Sequence, residues 1–556
     1  MPFHVAGKNQ FGTVFGHPID RALRFNDGDS SSLSFTPASA GNRKAFVLEG
    51  WIKRGALGTT QYIWSAGSAS SDYTAVFFDA SDRLNIIRVI SSSTDAQKIT
   101  SAVYREPGGW MHIAVIMDAA NTNLDVYVNG VEVTAFGTSN EPSNIDGAEN
   151  NTVVHTIGAR SYSATGTYFD GYLAQMQYSD GGTSGPNAGE SNSTTGEWVP
   201  KAASVSGTNA YILDFSDDTS TTTLGEDSSG NGNDWTLNNL ATTDSVTDTP
   251  TNNFPTWSPI DKASTTLSEA NLKATPAADN RAVRATIPFP DSGKWYLEFQ
   301  VSDLGYGHGL GIANNDSDLG LSGSAERRMF SFGSWYNTYN GGTVQYVVNG
   351  ATLAGTNWTG ASQPAANDII MMAYDADNGS IWWGKNGTWF NSSGTANPAT
   401  NTDPRLTGLS GTTWFPFSEG YAVITVQINC GQLTTSGDNA DENGYGSFEY
   451  VPPSGFLALC TANMDDPGDS DPLTGSFTGN ANVDGPFVWL GYPPDTSETS
   501  TINSNTITWG THADALANGL KLRTSLSSYN ASGSNTYSIA IDTAAPFVRG
   551  AKARAN

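Results

Sequence analysis

Apolar residues in this chain recur with a period of two far more often than with the 3.6 of an amphipathic helix. In "FVLEGWIK", Phe46, Leu48 and Gly50 fall on one side of an extended strand, and Val47, Glu49 and Trp51 on the other. A run so poor in polar residues predicts a strand covered on both faces. "GGWMHIAVIMD" reads the same way. In "LDVYVNGVEV", Leu124, Val126 and Val128 share a side, and Asp125 and Tyr127 take the other. Asn129-Gly130 then supplies the two positive-φ residues of a hairpin turn, and Val131 and Val133 resume the apolar side. Later, "GKWYLEFQV" alternates Trp295, Leu297, Phe299 and Val301 against Tyr296, Glu298 and Gln300. "IIMMAYDADNGSIWWGKNGTWF" spells strand, turn, strand and a further Asn-Gly turn. The pattern predicts an all-β chain of tandem antiparallel β-sandwiches.

Punctuation between these runs divides the chain. A length of 556 residues corresponds to roughly three or four domains. Residues 1–20 are a short Gly-containing piece, taken as an N-terminal anchor segment, and residues 21–180 form a first sandwich. Residues 181–260, rich in Gly, Ser, Thr, Asn and Asp, read as an extended connector with Trp235, Phe254 and Trp257 as its few pegs. Residues 261–460 form a second sandwich, and 461–556 a smaller C-terminal β unit.

Composition narrows the function classes. The formal charge is -27, with 27 Lys and Arg against 54 Asp and Glu. No basic stripe exists, which argues against a nucleic-acid partner. No apolar run approaches 18 residues, so no membrane-spanning helix and no membrane insertion are expected. The start, "MPFHVAGKNQFG", lacks the basic-then-apolar order of a secretory signal. A β-rich protein of this kind made in a cytoplasm needs another exit, and release by lysis within a virus particle is one. Cys430 and Cys460 sit in no metal-binding spacing and are expected as reduced, buried hydrophobes.

The strand "FVLEGWIK", the strand "GGWMHIAVIMD", the hairpin "LDVYVNGVEV" and the closing "IGARS…FDGYLAQMQ" together resemble the laminin-G-like, or concanavalin A-like, sandwich, over residues 21–180. "GKWYLEFQV", "HGLGIAN", "VQYVVNGATL" and above all "IIMMAYDADNGSIWWGKNGTWF" resemble the SPRY sandwich, over about 270–460. The ending "SSYNASGSNTYSIAI…APFVRGAKARAN" and the whole layout resemble structural proteins of marine tailed bacteriophages. That resemblance implies a virion protein exposed on the particle and assembled with other virion proteins. It further implies a tail fibre or spike adhesin, commonly a homotrimer, that recognises a host-surface glycan or protein. A capsid decoration protein or head fibre, and a glycan-degrading tail enzyme, are the alternatives.

Candidate chemistry is sparse. Two adjacent tryptophans, Trp382 and Trp383, must point to opposite faces of a strand. Trp382 is therefore either covered by a loop, domain or partner, or open to a ligand; Trp389 shares that ambiguity. In "FGSWYNTYNGG", Trp335, Tyr336 and Tyr339 stand among amides and hydroxyls, and Trp358 is similar. Such rings suit a sugar, a protein contact, or packing back onto the sandwich. Calcium is the one ion the loops suggest, through Asp27 and Asp29, Asp316 and Asp318, and Asp465, Asp469 and Asp471. Aspartate also dominates ordinary turns. For catalysis, the strand-borne E-x-D-x-x-E of glycan hydrolases is absent, and Glu49 and Glu298 are expected as solvated or sheet-paired residues. His112 lies in an apolar strand, as a core histidine does. G-x-S-x-G elbows and phosphate-binding loops are also missing from the sequence. The expectation is a non-catalytic protein.

Overall fold

A computed structural model describes residues 17–162, 167–192, 196–277, 281–302, 307–320, 327–332, 364–391, 394–421 and 424–464, together with the other short strands named below. The architecture is all-β and falls into two compact units, 1–464 and 465–556.

The first sandwich is built from two sheets. Sheet I has the order Val131–Glu132, Asn123–Val128, Met111–Asp118, Ala45–Arg54, Gly171–Asp180, Ala22–Phe25, Ser245–Val246, with Tyr211–Leu213 also paired to Gly171–Asp180. Sheet II runs Phe136–Asn140, Ser93–Thr100, Leu84–Ile90, Asp72–Phe78, Gln61–Ala69, His155–Ile157, Ser32–Phe35, Thr236–Asn238. Leu48, Ile52, Ile113 and Val115 of sheet I and Trp64, Val76, Phe78 and Ile86 of sheet II belong to one core between the sheets. All ten residues of Ala45–Arg54 are buried, as its polar-poor run predicts. Trp51 turns to the other side, into a second cluster with Tyr172, Ala174, Val246 and Ala270. The Asn129-Gly130 turn forms with φ of 47° and 72°, and Asn129 accepts the N–H of His112 through its side chain at 2.8 Å.

The polar stretch 181–260 supplies the strands Tyr211–Leu213 and Ser245–Val246 to sheet I and Thr236–Asn238 to sheet II. Trp235 enters the first core, and Phe254 and Trp257 enter that of the second sandwich. Its Asx residues satisfy its own backbone: Asp227 accepts the N–H groups of Ile212, Ser229 and Asn233.

In the second sandwich, sheet III has the order Trp257–Lys262, Arg281–Ala285, Trp414–Tyr421, Gly307–Asn314, Arg327–Phe332, Gln345–Val348, Ala351–Leu353. Sheet IV runs Thr265–Ser268, Lys273–Pro276, Val426–Asn429, Lys294–Val301, Ile369–Asp375, Ser380–Lys385, Thr388–Trp389. Leu457–Ala458 joins Lys294–Val301 in parallel, an exception to the antiparallel pairing elsewhere in these four sheets. Cys430 and Cys460 are free and buried in this core. Burial pushes both thiols up, that of Cys460 to about 12.

The two sandwiches meet at a buried cation. Lys53 donates to Asp248 at 2.6 Å, to the Asn253 side chain at 2.7 Å and to the Phe254 carbonyl at 2.7 Å. Asn253 in turn bonds Gly108 of the first sandwich and Thr461 of the second. Nearby, Tyr172 donates to the Ala270 carbonyl at 3.0 Å and Asn271 to the Gly55 carbonyl at 2.9 Å.

In the unit 465–556, three two-stranded ladders are described: Ser476–Phe477 with Ile507–Thr508, Phe487–Trp489 with Lys552–Arg554, and Arg523–Leu526 with Tyr537–Ala540.

Candidate functional site

Trp382 is fully buried. Its indole N–H donates to the Thr402 carbonyl at 3.0 Å, and its ring meets Phe456 edge-on at 6.2 Å. The loop through Thr402 and Arg405 covers this side of sheet IV, with Arg405 N–H bonded to the Ile381 carbonyl. Trp382 is thus a core residue and not an open ring. Trp389 is half-buried against the same core, 6.4 Å from the Tyr296 ring. Trp335, Tyr336, Tyr339 and Trp358 lie outside the described residues.

Asp27 and Asp29 occupy an exposed turn in which Asp29 accepts from the Asn26 amide at 2.8 Å. Asp318 accepts the N–H of Gly320 at 2.8 Å, and the Asp316 N–H is bonded to the Asn314 side chain. Among the described residues, no three His, Cys, Asp or Glu side chains converge as a metal cluster. Asp465, Asp469 and Asp471 lie outside them.

Of the two expectations for the strand carboxylates, solvated or sheet-paired, the solvated one does not hold, since Glu49 and Glu298 are buried. Glu49 accepts the N–H groups of Asn187 at 2.7 Å and Ala188 at 2.9 Å, with His112 Nε2 at 3.4 Å. Burial raises its pKa, but His112 and the two N–H groups outweigh that and hold the carboxyl below its usual range. Glu298 accepts from the N–H groups of Glu449 and Tyr450 and from the Tyr296 hydroxyl, each at 2.9 Å. There burial prevails and the pKa is raised. A buried carboxylate needs donors, and here loop backbones bring them. Both acids are committed to holding loops.

The Glu49 loop also closes the outer face of sheet I. Ala188 is buried over it, and the ladder of Gly189–Ser191 with Trp198–Pro200 follows. Trp198 packs 5.8 Å from the His112 ring and flat against glycine: a Cβ on Gly130 or Gly189 would lie 2.2 Å from its ring. Ala270 of the second sandwich covers more of the same face.

The outer face of sheet II carries an aromatic cluster, several of whose rings are partly exposed. Register sets three rungs across it. Tyr62, Phe77, Asn85 and Ile99 form the first, Ser65, Ala75, Ile87 and Gln97 the second, and Gly67, Tyr73 and Val89 the third. Tyr62 and Phe77 stack at 4.6 Å, and Tyr73 and Tyr162 at 4.0 Å. The two stacks are tied by a 3.2 Å contact between the Tyr62 and Tyr162 hydroxyls. The Arg160 guanidinium lies 5.3 Å from the Tyr162 ring and 6.0 Å from that of Tyr62. Ser161 N–H anchors this loop on the Ser65 hydroxyl at 2.7 Å. Gly67, at φ 144°, permits it: a Cβ there would lie 2.7 Å from that of Tyr73. Tyr73, Phe77, Ile87, Gln97, Ile99 and Tyr162 are all partly exposed. Burial raises the Tyr73 phenol and pushes Tyr162 up to about 12, so both remain neutral near pH 7.

Sequence reasoning passes over this face. Its signal is "DYTAVFF", in which Tyr73, Ala75 and Phe77 alternate with Thr74, Val76 and Phe78. Aromatic residues on both sides of one strand mark either a doubly covered strand or one with a working outer face.

Comparison with known proteins supports the first sandwich most directly. Residues 27–184 match the concanavalin A-like lectin/glucanases superfamily. No curated protein sequence matches the chain. Among solved structures, the heptameric SAP-like pentraxin of Limulus polyphemus is similar at 17% identity and a TM-score of 0.24, over 30% of this chain and 78% of the pentraxin. The SPRY domain of human HERC1 is similar at 16% identity and 0.24, over 31% of this chain and 96% of that domain. The TRIM65 PSpry domain gives 12% and 0.22, over 32% and 91%. Residues 27–184 are thus similar to a superfamily of concanavalin A-like sandwiches, which supports carbohydrate or protein binding in general.

Proposed function

We propose that this is a non-catalytic attachment protein of a virion, a tail fibre or spike adhesin, that binds a host-surface glycan through its first sandwich. The virion setting rests on the resemblance of the layout and C-terminus to marine phage structural proteins. The binding role is carried by one observation, the paired and partly exposed ring stacks on the outer face of sheet II, with amides and an arginine beside them. Aromatic rings offer flat apolar area at little entropic cost, and amides and phenols offer hydrogen bonds beside it. Many weak sites on one particle would act together through avidity. A homotrimer fits that arrangement. Ile87 and Ile99 on the same face favour a second reading, in which the face grips another virion protein, as on a capsid decoration protein or head fibre.

The test is competition and location. Excess purified chain should block adsorption of the particle to its host, and Tyr73→Ala with Phe77→Ala should abolish the block. Labelled antibody should mark the tail. Undiminished adsorption together with label spread over the head would overturn the adhesin reading in favour of decoration.

A further inference from the structure

We infer that Lys53 and Asn253 close an intramolecular isopeptide bond, with Asp248 as the proton carrier, that joins the two sandwiches covalently. All three side chains are buried, those of Lys53 and Asp248 completely. Lys53 Nζ stands 2.7 Å from Asn253 Oδ1 and 2.6 Å from Asp248 Oδ2. With a C=O bond of about 1.2 Å, the Asn253 Cγ then lies roughly 3.5 Å from Nζ, within near-attack reach. Asn253 is held in this orientation. Its Nδ2 donates to the Gly108 carbonyl at 2.7 Å, and its backbone N–H donates to the Thr461 hydroxyl at 2.8 Å. Asp248 is held by the Trp110 indole N–H at 3.1 Å and the Phe254 N–H at 3.3 Å. The Tyr172 ring lies 5.6 Å from Nζ.

Burial disfavours charge on both members of the pair, lowering the Lys53 pKa and raising that of Asp248. A desolvated lysine is a nucleophile once neutral. The Lys53 ammonium passes a proton to Asp248, and its freed electron pair attacks Cγ of Asn253. Asp248 gives that proton to Nδ2 and takes a second one from the attacking nitrogen. The Cγ–Nδ2 bond breaks, the double bond to Oδ1 re-forms, and ammonia leaves. The product is a secondary amide between Nζ and Cγ, with Asp248 left as a neutral acid. No oxidant, reductant or water is consumed. A buried ion pair is exchanged for neutral groups, which removes its desolvation cost, and escape of ammonia makes the step one-way. Freshly folded chain holds the hydrogen-bonded contact and converts with time. The new bond ties the strand Ala45–Arg54 of the first sandwich to the segment that carries Phe254 and Trp257 into the second core.

The experiment is a time course of intact mass on the purified full chain, followed by tryptic digestion and tandem mass spectrometry. A species lighter by one ammonia should accumulate. Its digest should contain a branched peptide joining Lys53 to Asn253, and trypsin should no longer cut after Lys53. Lys53→Met and Asn253→Ala should yield no branched peptide. Asp248→Asn, which keeps the shape but not the acid, should slow closure by at least about 100-fold. The wild-type arm needs no variant to fold: a wild-type chain that never loses ammonia overturns the inference. Ammonia loss without the branched peptide, the mark of a succinimide at an Asn-Gly turn, also overturns it. So does loss of water with Lys53 joined to Asp248. Closure of Asp248→Asn at the wild-type rate overturns the role given to the acid.

Discussion

Replacing Lys53 by methionine tests how the two sandwiches are joined. Both Lys53 and Asp248 have side chains with no exposure, 2.6 Å apart. Burial lowers the Lys53 pKa and raises that of Asp248, each opposed by the other's charge. Methionine fills most of the lysine volume but removes the cation and three donated hydrogen bonds. Asp248 keeps the Trp110 indole N–H at 3.1 Å and the Phe254 N–H at 3.3 Å, too little for a buried carboxylate. Breaking one side of such a pair costs about 3–5 kcal/mol, equivalent to roughly 150- to 4,500-fold in the unfolding equilibrium. Equilibrium denaturation followed by tryptophan fluorescence measures it. Lys53→Met should move the transition to lower denaturant, and Lys53→Met with Asp248→Leu should recover much of the loss. Lys44→Met, which removes a 3.9 Å pair with exposed Asp146, should cost less than about 1 kcal/mol. A loss below 1 kcal/mol for Lys53→Met would refute the reasoning.

Other predictions concern the buried groups. Asp170 accepts the Ala56 N–H at 3.0 Å, and burial, with Asp27 nearby, pushes its pKa from 3.8 to about 7. The folded state therefore holds a proton that the unfolded chain releases above pH 3.8. Its contribution is complete below that pH and is lost as pH rises through 7, at up to about 1.4 kcal/mol per pH unit. Stability of the wild type relative to Asp170→Asn should fall across pH 4–7, and a flat difference would count against this account. Trp382→Ala should destabilise by about 3–5 kcal/mol in thermal or denaturant unfolding, and an unchanged transition would mean the ring is not part of the core.

Much of the fold is written in local pattern. The strand Ala45–Arg54, the Asn129-Gly130 turn and the alternation around Trp295 need only residues next to one another, and they form as expected. Trp382 shows where that stops. Its neighbour Trp383 dictates that the two rings part, but what covers Trp382 arrives from Thr402 and Phe456, which the strand's own pattern does not contain. For Glu49 and Glu298 the pattern leaves solvated and sheet-paired open for the same reason: a lone acid in a strand does not show that a distant loop offers its N–H groups. Tyr73 and Phe77 fail in reverse. They share the alternation of core residues, and only their partial exposure on the outer face of sheet II sets them apart.

The position of that face has a mechanical consequence. Sheet I of the same sandwich is the one that abuts Ala270 and carries Lys53. An object tethered to the far side of sheet II would therefore pull across the layers. The load would pass through the packed side chains between the sheets and then through the lysine contact. Ladder hydrogen bonds lie within the plane of each sheet, so they would bear little of it. The resistance of that path would then be set by interdigitated side chains, one desolvated charge pair and the few hydrogen bonds beside it.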